Sequence, residues 1–383
     1  MRLPSQRHLF DIPDDVAYLN CGYMSPLMHP VHAAGIAGLS RKARPWEIAP
    51  RDFFSGSEAL RAAFARLINA RPDDIALVPA VSYGISVAAR NLPLERGRQV
   101  LVAADQFPSN VYPWRERARE TGGEVRTLPR PADGDWTRAV LEALEDDREG
   151  AIAIAALPHC HWIDGGLFDL ERIGAACRER GIALALDVTQ SLSVLPLDVQ
   201  RVQPDFLACA GYKWLMGPYS VSYLYVAERW QQGAPLEHNW IHRQNAEDFS
   251  RLVDYQDGFE PGARRFDMGE RSNFALLPAA EAGLRQIAAW GVDNLRETIG
   301  ALADTIIERV APLGLTALPK ALRAPHYLGL QLAGGLPAGL LPELAKRKVY
   351  VSVRGSSIRV TPHVYNTEQD VERFAEALRA VLG

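Results

Sequence analysis

From residue 75 to residue 226 short apolar runs alternate with amphipathic stretches. Ile75–Val78, Gln99–Ala103, Glu124–Leu128, Ala151–Leu157, Ile182–Leu186, Phe206–Ala210 and Val221–Val226 read as strands. Between them apolar residues recur at helical spacing, which predicts helices from about Val81 to Asn91, Tyr112–Thr121, Thr137–Leu144 and Asp169–Arg180, the last capped by Gly181. Ala151–Leu157 is apolar throughout, as expected of a strand buried on both faces. Strands and helices in this alternation predict an α/β fold, a mostly parallel sheet flanked by helices. Val221–Val226 is the candidate antiparallel member.

The flanks read differently. Val16–Leu19 is a short strand that ends in Asn20-Cys21-Gly22, a turn signal. Pro26 and Pro30 predict an irregular loop, and a helix runs from Ser57 to Asn69. Gln231–Gly262 is polar and without clear period, a loop that could wall a site or form an interface. Helices then follow at Leu276–Trp290 and Asp293–Val310, and strands at Leu328–Leu332, Val349–Val353 and Ser357–Val360. The closing helix, Thr367–Leu382, opens with a capping box between Thr367 and Asp370. The expected organisation is a large domain over 15–264 and a smaller α+β domain made of 1–14 and 265–383.

Composition narrows the function classes. The 383 residues are 48% hydrophobic and 23% charged, an ordinary globular balance. A formal charge of −4 with no basic run argues against a nucleic-acid partner. No apolar stretch is long enough to span a bilayer, and the polar N-terminus is unlike a signal peptide. The four cysteines, Cys21, Cys160, Cys177 and Cys209, are scattered, which fits a reducing compartment and spells no zinc site. The expected location is the cytoplasm.

One residue stands out chemically. The chain uses arginine for nearly all its positive charge, yet Lys213 lies in the apolar run Phe206–Pro218. Its four other lysines, Lys42, Lys320, Lys346 and Lys348, sit among polar or turn residues. An ammonium in apolar surroundings must be paired, neutralised or used, and desolvation frees its amine for attack on carbonyls. The alternative is a stem packed on Trp214 with its head in water. Four further features follow strand ends, where parallel sheets bind ligands. Asp187 could hold a metal, act as a base, pair with a cationic ring nitrogen or cap a helix, with Gln190 three residues on. Ser82-Tyr83-Gly84 marks an anion site at a helix N-terminus or a structural cap. Phe107 is a ring plate or ordinary core. His159 and His161 could share a face toward a metal, but no third ligand has the spacing. Anion site, plate, carboxylate and lysine together form the set that pyridoxal phosphate requires.

With those residues the chain resembles the class V aminotransferase family of fold type I, which includes cysteine desulfurases, kynureninases and isopenicillin-N epimerase-like enzymes. The resemblance rests on Asp187-Val188-Thr189-Gln190, Gly211-Tyr212-Lys213 and Arg359 followed by Tyr365-Asn366-Thr367. It extends from Tyr18-Leu19-Asn20 to that last motif. It implies pyridoxal 5′-phosphate on Lys213 as a Schiff base, with Lys213 also moving the substrate α-proton. Asp187 would keep the ring nitrogen protonated, Gln190 would bond the ring hydroxyl and Phe107 would stack on the ring. Ser82, the Tyr83 and Gly84 backbone and the Tyr212 hydroxyl would hold the phosphate. Arg359 would clamp the substrate carboxylate, with Asn20 beside it. A homodimer is implied, as is an aminotransferase, with kynureninase-like, C–S lyase or epimerase chemistry as alternatives and a non-catalytic binding protein as a rival class. Departures are visible. The segment Val353-Arg354-Gly355-Ser356-Ser357 is short and lacks the cysteine of the desulfurase loop, so a desulfurase with a loop nucleophile is not expected. Ala210 replaces a phosphate-binding serine and Trp162 an asparagine. Glu270 replaces a threonine that relatives give to the neighbouring subunit's phosphate, a role that Arg271 or Ser272 would have to take over.

Overall fold

A computed structural model describes residues 1–382. Its centre is a seven-stranded sheet in the order Ile75–Val78, Ser222–Val226, Phe206–Ala210, Ala183–Asp187, Ile152–Pro158, Gln99–Ala103, Glu124–Leu128. Ser222–Val226 pairs antiparallel with both its neighbours, and all other pairings are parallel. Every residue of Phe206–Ala210 and Ser222–Val226 is buried, which is why these runs read as apolar without alternation. Helices cover both faces, and their buried residues form two separate apolar clusters, one on each side of the sheet.

The chain leaves Gln99–Ala103 for the edge strand Glu124–Leu128, then returns to the other side of Gln99–Ala103 at Ile152–Pro158. That reversal opens a crevice at the carboxyl ends, the position at which open α/β sheets bind ligands.

A four-stranded antiparallel sheet, Ser352–Arg354, Ser357–Val360, Leu328–Leu332 and Leu315–Thr316, carries the C-terminal part. Its own core includes Ala17 and Leu19 from the N-terminal segment together with residues from 303 onward. Ala17–Tyr18 pairs in parallel with Val349–Tyr350, so the N-terminal segment is stitched to this layer. The helix Leu276–Trp290 contributes Leu277, Ala280, Leu284 and Ile287 to the large core instead. The capping box forms: the Thr367 N–H donates to Asp370 at 3.0 Å, and the Asp370 N–H donates to the Thr367 hydroxyl at 3.3 Å.

Two local expectations need correction. The segment after Met28 is a helix, His29–Ser40, not an irregular loop. Pro30 sits in its first turn, where the missing N–H has no intrahelical role. The helix expected from Ser57 starts earlier, at Asp52. Among the described residues, no helix is long and apolar enough to cross a membrane.

Segment 262–271 is anchored to the sheet edge by a buried ion network. Asp267 accepts from Arg61 through both carboxylate oxygens, from Arg271, and from the Leu77 N–H at 2.8 Å. All three side chains are inaccessible to solvent or nearly so. Removing one partner of a buried ion pair strands the other, at a cost of about 3–5 kcal/mol. Asp267→Ala leaves Arg271 without a carboxylate and Arg61 with Glu58 alone, and is expected to cost about that much. Urea unfolding checks it, and a loss under about 1 kcal/mol would mean that the network is water-compensated.

Candidate active site

The crevice at the strand ends holds a cavity of about 360 Å³, within the range of small-molecule sites. Ser82, Phe107, Asp187, Gln190, Tyr212 and Lys213 all line it. Residues far apart in the chain thus meet at one place, and the two charged groups, Asp187 and Lys213, face the same space.

Register explains Asp187. It ends its strand level with Pro158 on one neighbour and Ala208 on the other. No helix follows directly, so it caps none. Its Oδ1 accepts from the Thr189 N–H at 3.0 Å in a tight turn. Burial raises its pKa, opposed by the Thr189 hydrogen bonds and by the charge of Lys213. No arginine or lysine forms an ion pair with it among the described residues.

Lys213 lies in a tight loop after Ala210. Gly211 donates to the Val221 carbonyl at 2.9 Å, and Gly217 closes the loop onto the Gly211 carbonyl at 2.8 Å. A side chain at Gly211 would meet the Val221 carbonyl at 2.5 Å, so only glycine fits. Lys213 is 6% exposed, while the four other lysines are exposed. Its amine makes no hydrogen bond among the described residues and lies 5.4 Å from the centre of the Phe107 ring. Burial lowers its pKa to about 8, outweighing the opposing pull of Asp187, and Arg359 lowers it further. Burial therefore favours the neutral, nucleophilic amine more than an ordinary lysine does.

The helix Val81–Asn91 aims its N-terminus at the cavity, through Val81 and Ser82. Its N-cap is Ala80, not Ser82, and no side chain caps it. The N–H groups of Val81, Ser82 and Tyr83 have no helical acceptor, which suits an anion. One expectation changes here: the Gly84 N–H already donates to the Ala80 carbonyl at 3.2 Å, so it is not a free phosphate donor. The Tyr83 side chain packs against a core cluster and does not line the cavity, which leaves its backbone N–H as the group facing an anion.

Gln190 is held at both ends. Its amide oxygen accepts from the Trp214 indole at 3.1 Å, and its nitrogen donates to the Gly22 carbonyl at 3.0 Å. One N–H remains for a ligand. The approach of Gly22 is possible because it has no side chain; a Cβ there would lie 3.2 Å from the Gln190 amide.

Arg359 and Asn20 lie outside the cavity wall proper but are coupled to it. Arg359 is 2% exposed and forms no ion pair among the described residues. Its guanidinium donates to the Trp162 carbonyl and to the Ser352 hydroxyl, each at a long 3.4 Å. Ser352 in turn donates to Asn20 at 2.8 Å. Asn20 therefore orients a neighbour of Arg359 and does not itself face the cavity.

Sequence reasoning missed Tyr219, Ser220, Ser222 and Cys160, all in the wall. Ser222 is directly opposite Ala210 in the antiparallel ladder. It offers a hydroxyl where Ala210 has none, and only the register brings it there. Arg271 is committed to Asp267 and buried, so it cannot stand in for a phosphate-binding threonine at position 270. His159 and His161 do not form a metal site. His161 is stacked on Trp136 and bonded to the Ala104 carbonyl, while burial lowers the His159 pKa to about 3. Among the described residues, no group of three or more His, Cys, Asp or Glu is arranged around a metal.

The chain matches the Aminotransferase class-V family over residues 49–374. It belongs to that family. It is 27% identical to the uncharacterized aminotransferase YcbU of Bacillus subtilis, covering 99% of this chain and 98% of that one. An isopenicillin N epimerase of Amycolatopsis lactamdurans is 27% identical over 95% of this chain and 94% of its own. The apo cysteine desulfurase of Thermococcus onnurineus superposes with a TM-score of 0.84 at 18% identity, covering 100% of this chain and 99% of that one. At such identity the likeness shows the fold, a fold type I α/β architecture. The exclusion of cysteine desulfurases drawn from the short Val353–Ser357 segment finds no support in these comparisons. The cofactor of this class V chain is pyridoxal 5′-phosphate, and the cavity fits it. A helix N-terminus, an unpaired carboxylate, a buried free amine, an aromatic plate and a spare amide N–H line one space of suitable size.

The Lys213 pKa gives a stability test on cofactor-free protein. Its folded value is below the 10.5 of an ordinary lysine, so the unfolded chain binds more protons between about pH 8 and 10.5. Stability should rise across that window. Lys213→Met removes the buried cation and is expected to be more stable than the parent below pH 8. The gap should shrink as pH rises toward 10.5. A pH-independent gap in urea unfolding would contradict the assignment.

Proposed function

We propose that this class V chain is an aminotransferase acting on an amino-acid substrate. The observation that carries the reading is the buried, unbonded Lys213 amine, which shares a cavity with the unpaired Asp187. When bound, pyridoxal phosphate withdraws electrons from the substrate α-carbon. Lys213 Nζ would be the covalent attachment point and, once the substrate amine displaced it, the base that takes the α-proton. The helix N-terminus at Val81–Tyr83, with the Ser82, Ser222 and Tyr212 hydroxyls, would hold the phosphate. Asp187 would keep a proton on the ring nitrogen by its charge. Gln190 would donate its spare N–H to the ring hydroxyl, and Phe107 would cover one ring face. Arg359 receives the substrate carboxylate, supplying the anion its buried charge lacks.

Transamination needs one base on one face. Lys213 is the wall amine, and burial lowers its pKa to about 8. Burial holds Tyr212 up at about 12 and pushes Cys160 well above the ordinary thiol range. Cys160 is the one cysteine in the wall, and its thiol contacts the Gln190 carbonyl at 3.4 Å. The hairpin after Arg354 turns through Gly355 and Ser356 with no sulfur. A second reading, a kynureninase-like or C–S lyase, or an epimerase, draws on the Tyr212–Tyr219 pair. Its rings are 4.5 Å apart beside Lys213, two phenols placed to protonate a leaving group or the opposite face. A non-catalytic binding protein has no need of the buried amine, whose retention is costly.

Incubating loaded protein with an amino-acid panel and a ketoacid acceptor should yield ketoacid from the donor. Ammonia, alanine, sulfide or racemised substrate as the main product would favour the second reading. Lys213→Ala should lose the visible cofactor band and turnover by roughly a thousandfold, in the range of a lost general base. Arg359→Met should keep the band and raise KM on the order of a hundredfold, the cost of truncating one member of a buried charge pair. A normal KM in that variant would remove Arg359 from the substrate site.

The functional unit in this reading is a cytoplasmic homodimer. Exposed apolar side chains support an interface: Ile36 and Leu39 on the first helix, Tyr23, and Tyr219 in the cavity wall are all more than half exposed. Light scattering at the mass of a single chain would oppose it.

A further inference from the structure

We propose that Arg354 is a second anion-binding residue of the site, which makes the substrate an amino acid with an acidic side chain. This rests on the reading of the cavity as an amino-acid site with Arg359 as the α-carboxylate clamp.

The argument begins with register. Ser352 pairs with Arg359 across the antiparallel hairpin, and Arg354 pairs with Ser357. Directly opposed residues share a sheet face, as do residues two apart on one strand. Ser352, Arg354 and Arg359 therefore project from the same face. Arg354 and Arg359 are diagonal neighbours, a relation that sets side chains roughly 7–8 Å apart at their bases. The hairpin closes through Gly355, whose φ of +55° favours glycine, so its tip is as short as a two-residue turn allows. Arg354 is thereby held close to Arg359.

Both guanidiniums converge on one residue of the cavity wall. Arg359 donates to the Trp162 carbonyl, and the Arg354 guanidinium lies 5.8 Å from the centre of the Trp162 ring. Trp162 in turn meets the Phe107 ring edge-on at 5.3 Å. A ligand lying against Phe107 and reaching Arg359 passes Trp162, with Arg354 on its flank.

Neither arginine has an acidic partner among the described residues, although the buried arginines Arg61, Arg271 and Arg323 each pair with a carboxylate. Arg354 donates only to the carbonyl of its neighbour Val353, at 2.8 Å. Partial burial and the charge of Arg359 both lower its pKa, so the two cations disfavour each other. Like charges placed together on a sheet face are destabilising unless an anion bridges them. One carboxylate satisfies Arg359, and the second cation calls for a second acid a short chain away. Short dicarboxylic amino acids carry that group, as does an amino acid ending in a sulfinate.

The test is spectral titration of the loaded protein with glutamate, 2-aminoadipate and cysteine sulfinate against the neutral norvaline and methionine. A companion calorimetric titration of cofactor-free protein uses glutarate against butyrate. A diacid should bind at least about tenfold tighter than its neutral counterpart, the worth of one charge-assisted hydrogen bond. Arg354→Gln should bring that ratio to about one in both assays, and Arg354→Lys should restore part of it. Thermal unfolding of both variants verifies that they fold. Neutral amino acids that bind as well as diacids to the parent would overturn the proposal and leave the aminotransferase reading standing. A preference that survives Arg354→Gln would also overturn it. No spectral response to any amino acid would overturn both readings.

Discussion

The interaction on which the site depends is one that the protein leaves unmade. Lys213 and Arg359 are both buried, both positive and both without a carboxylate bonded to them among the described residues. A buried charge without a partner costs several kcal/mol. The fold retains two within mutual influence, since Arg359 lowers the Lys213 pKa. Asp187 offsets part of that cost across the cavity but bonds to neither. The remaining imbalance is what an anionic substrate and an aldehyde cofactor would relieve, so the energy of folding is held back for binding.

Holding cations in that state requires rigid surroundings. The large sheet supplies Asp187 and the Lys213 loop from adjacent, hydrogen-bonded strands. The C-terminal sheet supplies Arg359 from a different layer. The two meet through the N-terminal segment. Leu19 and Cys21 bond to Tyr350 and Thr361, and Gly22 reaches both Thr361 and Gln190. Residues 17–22 thus tie the large sheet's side of the cavity to the C-terminal sheet that carries Arg359.

Much of the chemistry was legible before any coordinates. A single lysine in an apolar run, in a chain that otherwise chooses arginine, announces a special amine because burying it is costly wherever the fold places it. Asp187 at the end of a wholly apolar strand must lie at the rim of the sheet, since strand polarity and length leave nowhere else. The helix after Val78 needed only its periodicity, and the Thr367–Asp370 cap needed only local spacing. Pro30 misled because proline breaks a helix interior but opens a first turn, and sequence alone does not say which turn it occupies. Ser82 misled in a similar way, being one turn position inside the helix, where it exposes its hydroxyl without capping.

What the sequence determined by itself was everything set by local pattern: the α/β alternation, the antiparallel Ser222–Val226 strand as a candidate, the amine, the carboxylate and the family. What only the tertiary structure decided was which residues far apart in the chain share a face or a cavity. Ser222 stands opposite Ala210, Arg354 stands on the face of Arg359, Arg271 is spent on Asp267, and Gly84 has already given its N–H away. These are matters of register and of competing partners. A one-residue slip in a strand would turn each side chain to the opposite face, and no local pattern encodes which partner a buried donor finally meets.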